Sequence, residues 1–165
     1  MASIAKLFQF TFTELCILVE AWFIFLKWDL LISFTQYKYW RSELNGLNDS
    51  ASQSLSLESS LPAPLPLEKP LLKEITALIK LSETAGRFHV RKMNCLRRCL
   101  TQQKMLVKRG YKTQMHIGVR FEEQKLKAHA WLTLQGKVIN DTDDVSTRYS
   151  ELKAINEQDI LRHFK

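Results

Sequence analysis

The chain has 165 residues, of which 45% are hydrophobic and 25% charged, and it carries a net charge of +7. That is room for one modest domain plus an extension, and the apolar share excludes a disordered chain. Three cysteines without the spacing of a disulfide framework exclude a stapled secreted domain, argue for a reducing, cytoplasmic setting, and leave a reactive thiol open.

The first element, residues 7–34, reads LFQFTFTELCILVEAWFIFLKWDLLISF. Glu14, Glu20, Lys27 and Asp29 interrupt it, so no uncharged run reaches the ~18–20 residues of a spanning helix. Each charge held at the centre of a bilayer would cost about 2.5 kcal/mol or more. The early acidic residues also make it a poor secretory signal. It reads as one or two apolar helices in an arm over residues 1–43. Trp22, Phe23, Phe25 and Trp28 give that arm a large apolar load, open to three fates: packing on the following domain, contact with a membrane surface, or partner binding.

Residues 44–67 read as a linker, rich in Ser and with Pro62, Pro64 and Pro66 favouring extended chain. A C-terminal domain then spans 68–165. It opens with a helix in which Leu71, Leu72, Ile75, Leu78, Ile79 and Leu81 recur at helical spacing, with Gly86 as its expected stop. A second helix starts after Asn94, a good N-cap. Leu96, Cys99, Leu100, Gln103, Leu106 and Val107 form its stripe, Lys108 and Arg109 suit the last turn, and Gly110 suits the left-handed residue just beyond.

From there the period changes to two. Met115, Ile117 and Val119 alternate with polar residues in one strand, Phe121 to Lys125 supply a polar turn, and Lys127 to Leu134 alternate again. Gln135-Gly136-Lys137 reads as a hairpin turn, with Val138 and Ile139 starting the return strand. Both faces of this sheet carry apolar bulk, so each needs a cover. The helix after Asn94 could cover one and the N-terminal arm the other. A short terminal helix is expected after Asn156.

The charge is uneven: from Arg87 to Arg120 there are basic residues and no Asp or Glu. Such a stretch could face an acidic peptide, a nucleic acid, an anionic membrane or a partner, or simply be a solvated face. It lacks the aromatic interleaving of single-strand binders and any nucleic-acid motif, so nucleic acid is not expected as the partner.

A nucleophilic thiol needs ionisation, a base and an open cleft. Cys95 stands at the first turn of a capped helix, where unpaired N–H groups and the macrodipole stabilise a thiolate, and Arg91, Lys92, Arg97 and Arg98 act in the same direction. His129, in Lys-Ala-His-Ala-Trp, is the natural base, and Asp141 would orient it and stabilise its protonated form. The register makes a prediction. A three-residue turn pairs Leu134 with Val138 and Trp131 with Asp141, placing Asp141 on the face of His129. A two-residue turn places them on opposite faces, unless a bulge restores the match. Each residue also has an ordinary reading: a core cysteine, a structural strand histidine, a turn aspartate. Cys99 lies one turn further in, where the dipole has faded, and reads as packing. No zinc-type pairing of Cys and His and no glycine-rich phosphate loop occur, so neither metal nor cofactor is expected.

These residues together resemble the lasso peptide biosynthesis B proteins, the leader peptidases of that pathway. Cys95, Leu96 and Arg98 match the Cys-Leu-x-Arg helix start, Gly110 the helix stop, Ile117-Gly118-Val119 the strand, Ala128 to Trp131 the histidine motif, and Asp141 the hairpin end. The resemblance implies an α+β, papain/transglutaminase-like cysteine peptidase core: a helix carrying Cys95 packed on an antiparallel sheet carrying His129 and Asp141. It implies removal of the leader from a ribosomally made precursor, followed by lactam formation by an asparagine-synthetase-like cyclase. Residues before 68 do not read as the strand-rich PqqD-like recognition domain of fused members, so the chain resembles the split form that works with a separate recognition protein. Two alternatives stand beside this reading: an acyltransferase on the same fold, and a non-catalytic basic scaffold.

Overall fold

The computed structural model describes residues 10–35, 69–123 and 125–151. The expected linker at 44–67 and the helix after Asn156 lie outside the described residues. Among the described residues three helices come first: α1 (Phe12–Phe34), α2 (Lys69–Arg87) and α3 (Cys95–Lys108). Strands β1 (Thr113–Glu122), β2 (Lys125–Leu134) and β3 (Lys137–Val138), a single helical turn α4 (Val145–Arg148) and strand β4 (Ser150–Glu151) complete the fold. The sheet is antiparallel in the order β3-β2-β1-β4.

The described part of the arm, residues 10–35, forms one helix, α1. A reciprocal cap starts it: Thr11 Oγ1 accepts from the Glu14 N–H at 3.3 Å while the Glu14 carboxylate accepts from the Thr11 N–H at 2.8 Å. It packs against α2 and α3, with Leu18, Ala21, Phe25 and Trp28 entering a core shared with Ile75, Leu78, Leu100 and Leu106. Phe25 and Trp28 are fully buried, each contributing about 1.5–3 kcal/mol. The charges that disqualify α1 as a spanning helix fasten it to α3. Glu20 meets Lys108 at 2.7 Å and Arg109 at 2.6 Å, and buried Asp29 meets Arg97 at 3.1 Å. The two helices therefore run antiparallel, pinned near both ends of α3. No described helix is long and apolar enough to cross a membrane.

Two glycines behave differently. Gly110, at φ +85°, closes α3 as expected: its N–H reaches the Val107 carbonyl at 2.9 Å and the Tyr111 N–H reaches that of Leu106 at 3.0 Å. Gly86 does not stop α2, which runs on to Arg87. A Cβ there would lie 3.2 Å from the Phe25 ring, so its smallness serves helix packing.

The sheet's inner face, with Met115, Ala130, Leu132 and Leu134, rests on Cys99, Leu100, Met105 and Leu106. α1 does not cover the other face, contrary to the expectation for the arm, because it is spent on the helical layer. Tyr149 crosses that face instead, beside Trp131 and His129. Gly118 makes this possible, since a Cβ there would come within 2.8 Å of Tyr149 Cβ and 2.9 Å of the Trp131 ring. The first hairpin is also longer than expected. β1 keeps its pairing through Phe121 to Glu122, opposite Lys125, and Glu123 enters the left-handed region at φ 49°.

Candidate functional site

Cys95 is the first residue of α3, whose cap Asn94 accepts the Arg97 N–H on its side-chain oxygen at 3.0 Å. That cap leaves the N–H groups of Cys95 and Leu96 without an acceptor among the described residues. The thiol is half-buried. It lines a narrow cavity of about 30 Å³ together with His129, Asp141, Cys99, Asn140 and the Glu83–Arg98 pair. His129 Nε2 lies 2.6 Å from Asp141 Oδ2. The structure thus brings Cys95, His129 and Asp141 to one place.

Asp141 arrives by the second of the two routes the register allowed, a short turn followed by a bulge-like departure. The hairpin turn has two residues, not three: Leu134 pairs with Lys137 and Thr133 with Val138, with Gln135 and Gly136 both at positive φ, as a tight hairpin turn demands. Continued as a ladder, that register would set Asp141 opposite Ala130, on the wrong face for His129. The ladder does not continue. β3 ends at Val138, a last backbone bond joins the Ile139 N–H to the Leu132 carbonyl at 3.0 Å, and Asn140 then substitutes its side chain for the strand. Asn140 Oδ1 accepts the Leu132 N–H at 2.8 Å, and its Nδ2 donates to Gln102 Oε1 at 2.8 Å. This departure has the effect of a bulge and turns Asp141 toward His129.

The early end of β3 also opens the edge of β2. The Ala130 carbonyl, without a strand beside it, accepts from Cys99 Sγ at 3.1 Å, while Asn140 Nδ2 donates to the same sulfur at 3.3 Å. Burial pushes the Cys99 thiol up to about 12, so it stays protonated and serves as a donor. Cys99 therefore seams α3 to the sheet edge and brings Cys95 near His129.

Burial raises the Asp141 carboxyl, but hydrogen bonds from His129 and Thr142 outweigh it and hold it below the usual carboxylate range. The Thr142 N–H donates to Asp141 Oδ1 at 2.7 Å, and Arg148 of α4 stands 3.6 Å away. The imidazole lies beside two rings, with Trp131 stacked at 6.4 Å and Tyr149 at 5.1 Å between centroids. No three His, Cys, Asp or Glu side chains among the described residues gather as a metal-ion set.

Sequence reasoning passed over Asn140, Gln102 and Tyr149. Asn140 looked like a companion of a turn aspartate. Gln102, buried beside Ser82 and Glu83 and bonded to both, carried one signal: a polar residue amid the apolar turns of α3. Tyr149 had none.

Comparison with curated proteins and with solved structures gives no significant match. A family model does match residues 46–154, most of the chain, and its description is the transglutaminase-like superfamily. Helices followed by an antiparallel sheet agree with that match, and this chain therefore belongs to the transglutaminase-like superfamily.

Proposed function

We propose that the chain is a cysteine peptidase in which Cys95 is the nucleophile, His129 the proton carrier and Asp141 the carboxylate that orients it. The superfamily includes cysteine peptidases and acyltransferases. The observation that carries the reading is that a half-exposed thiol on the first turn of a helix and a carboxylate-bound imidazole line one cavity.

With His129 Nε2 committed to Asp141, Nδ1 is the nitrogen left to exchange a proton with the Cys95 thiol. The thiolate adds to the peptide carbonyl, and the unpaired N–H groups at the start of α3 are suited to the developing oxyanion. Collapse breaks the C–N bond, His129 gives its proton to the leaving amine, and a thioester remains. Water then gives a proton back to His129, attacks the thioester and releases the carboxylic acid and the thiol. Asp141, held ionised by its hydrogen bonds, stabilises the intermediate imidazolium.

The resemblance of residues 95–141 to the lasso B proteins supports the substrate: the leader of a ribosomally made lasso precursor. A separate PqqD-like recognition protein delivers it, and an asparagine-synthetase-like cyclase uses the freed amino group. Phe12, Val19, Phe23, Leu30 and Phe34 leave exposed apolar surface on α1, which supports peripheral membrane contact by the arm; co-flotation with liposomes tests it. Membership of a superfamily with both activities favours one second reading, acyl transfer, in which an amine resolves the thioester. The deciding experiment is mass spectrometry of precursor peptide incubated with the protein and its recognition partner. A defined leader fragment with a free carboxylate supports the peptidase. A leader carrying an added amine supports the transferase, and cleavage undiminished in Cys95→Ala would sink both.

A further inference from the structure

Beside the thiol cavity lies a larger groove of about 490 Å³, lined by Glu83, Gly86, Arg87, His89, Arg91, Lys92, Met93 and Arg98. It forms where the end of α2 turns back through residues 88–94 into the start of α3. Glu83 and Arg98 line both spaces, so their ion pair is a wall that the groove shares with the cavity of Cys95.

Its electrostatics are one-sided. Four of the lining residues are Arg or Lys and one is acidic. Arg98 is neutralised by Glu83, with contacts of 2.8 and 2.6 Å, and Arg91 leans toward Asp29 at 3.7 Å. Arg87 and Lys92 are exposed and have no ionic or hydrogen-bond partner among the described residues. His89 lines the same groove. His89 is buried to 9% exposure, its Nδ1 accepts the Arg91 N–H at 3.4 Å, and so its proton sits on Nε2, which has no partner. A buried donor without an acceptor is costly unless something supplies one. Two uncompensated cations on one concavity fit carboxylates.

We infer that this groove is a subsite for acidic side chains of the polypeptide processed at Cys95, so that the enzyme selects substrates with a Glu- or Asp-bearing segment next to the scissile bond. The inference rests on the peptidase reading for the substrate's class. An acidic peptide suits the site better than nucleic acid, because the lining holds no Phe, Tyr or Trp as a stacking platform for a base and because the groove adjoins the thiol cavity.

The test is equilibrium binding with the full-length Cys95→Ala protein, which holds a peptide without turning it over. Fluorescence anisotropy would compare a labelled Glu-rich peptide with its Gln counterpart of equal length. The acidic peptide should bind at least about tenfold more tightly. Arg87→Gln with Lys92→Gln should abolish that preference and Lys92→Glu should reverse it. Lys112→Gln with Lys137→Gln, which removes as much charge elsewhere, should leave it intact. Equal binding of both peptides, or an unchanged preference in the Arg87/Lys92 variant, overturns the inference. So does a single-stranded oligonucleotide that outcompetes the acidic peptide, in favour of a nucleic-acid groove. Because binding is read without the thiol, failure here leaves cleavage by the wild-type protein to be judged separately, and loss of the peptidase reading leaves the binding result standing.

Discussion

Cys95 and Cys99 stand one helical turn apart on α3, yet their surroundings assign them opposite work. Cys95 sits where the helix has not begun to bond its own N–H groups, half-exposed and facing a cavity. Cys99 is 2% exposed, donates to the Ala130 carbonyl and receives Asn140. On the proposed reading the same side chain is offered for chemistry at one position and withdrawn from it at the other, and helix position and burial make the difference.

Removing each thiol in turn breaks the comparison most sharply. Cys95→Ala should lower peptide cleavage by at least about 10³-fold with little change in melting temperature. Cys99→Ala should keep cleavage within about tenfold and cost about 1–3 kcal/mol of stability, since it leaves the Ala130 carbonyl without its donor. Mass-spectrometric cleavage assays and thermal melts read the two effects, and equal losses of activity would erase the distinction.

Alkylation sharpens it next. In a Cys16→Ser background, which removes the exposed third thiol, iodoacetamide at neutral pH should label Cys95 at least about 100-fold faster than Cys99, with Cys99 reacting only on unfolding. Peptide mapping over time gives both rates.

A smaller effect is expected from Asn140→Ala, which leaves Cys99 and Cys95 in place but removes the bonds to Leu132 and Gln102. Stability should fall by about 1–3 kcal/mol, and cleavage by about tenfold or more, because the departure from the β3 ladder that delivers Asp141 is released. Activity unchanged in a folded variant would show that Asp141 is held by Thr142 and Arg148 alone.

The last effect is confined to alkaline pH. Burial pushes Cys99 up to about 12, whereas an unfolded thiol ionises near ~8.5. Between those values the unfolded chain binds fewer protons than the folded one, so stability falls as pH rises, by up to about 1.4 kcal/mol per pH unit from this group. Below that window the thiol is protonated in both states and contributes no slope. Denaturant melts at increasing pH should show a shallower decline for Cys99→Ala than for the wild type.

Much of the site was legible in the sequence because it rests on local signals. Asn94, the residue after it and Gly110 announce a helix with a thiol on its first turn, and two-residue alternation places His129 on a strand. The position of Asp141 was legible only as a candidate. Of the two routes that would put Asp141 on the right face, a three-residue turn or a bulge, the second is found, and the side chain of Asn140 sets it. A side chain standing in for a strand's backbone leaves no periodicity to read. The covering of the sheet was illegible for a related cause: α1 is apolar around its whole circumference, and nothing in such a pattern says which layer it will join.

The pins at Glu20 and Asp29 carry a practical consequence for anyone expressing part of this chain. The family match begins at residue 46, and a boundary cut there would discard Phe25 and Trp28 from beneath α2 and α3 and strip Arg97, Lys108 and Arg109 of their counter-charges. The fragment would keep every residue of the candidate triad and lose the brace that sets the angle of the helix bearing the thiol. Inactivity of such a truncated protein would report on its missing scaffold and not on its chemistry.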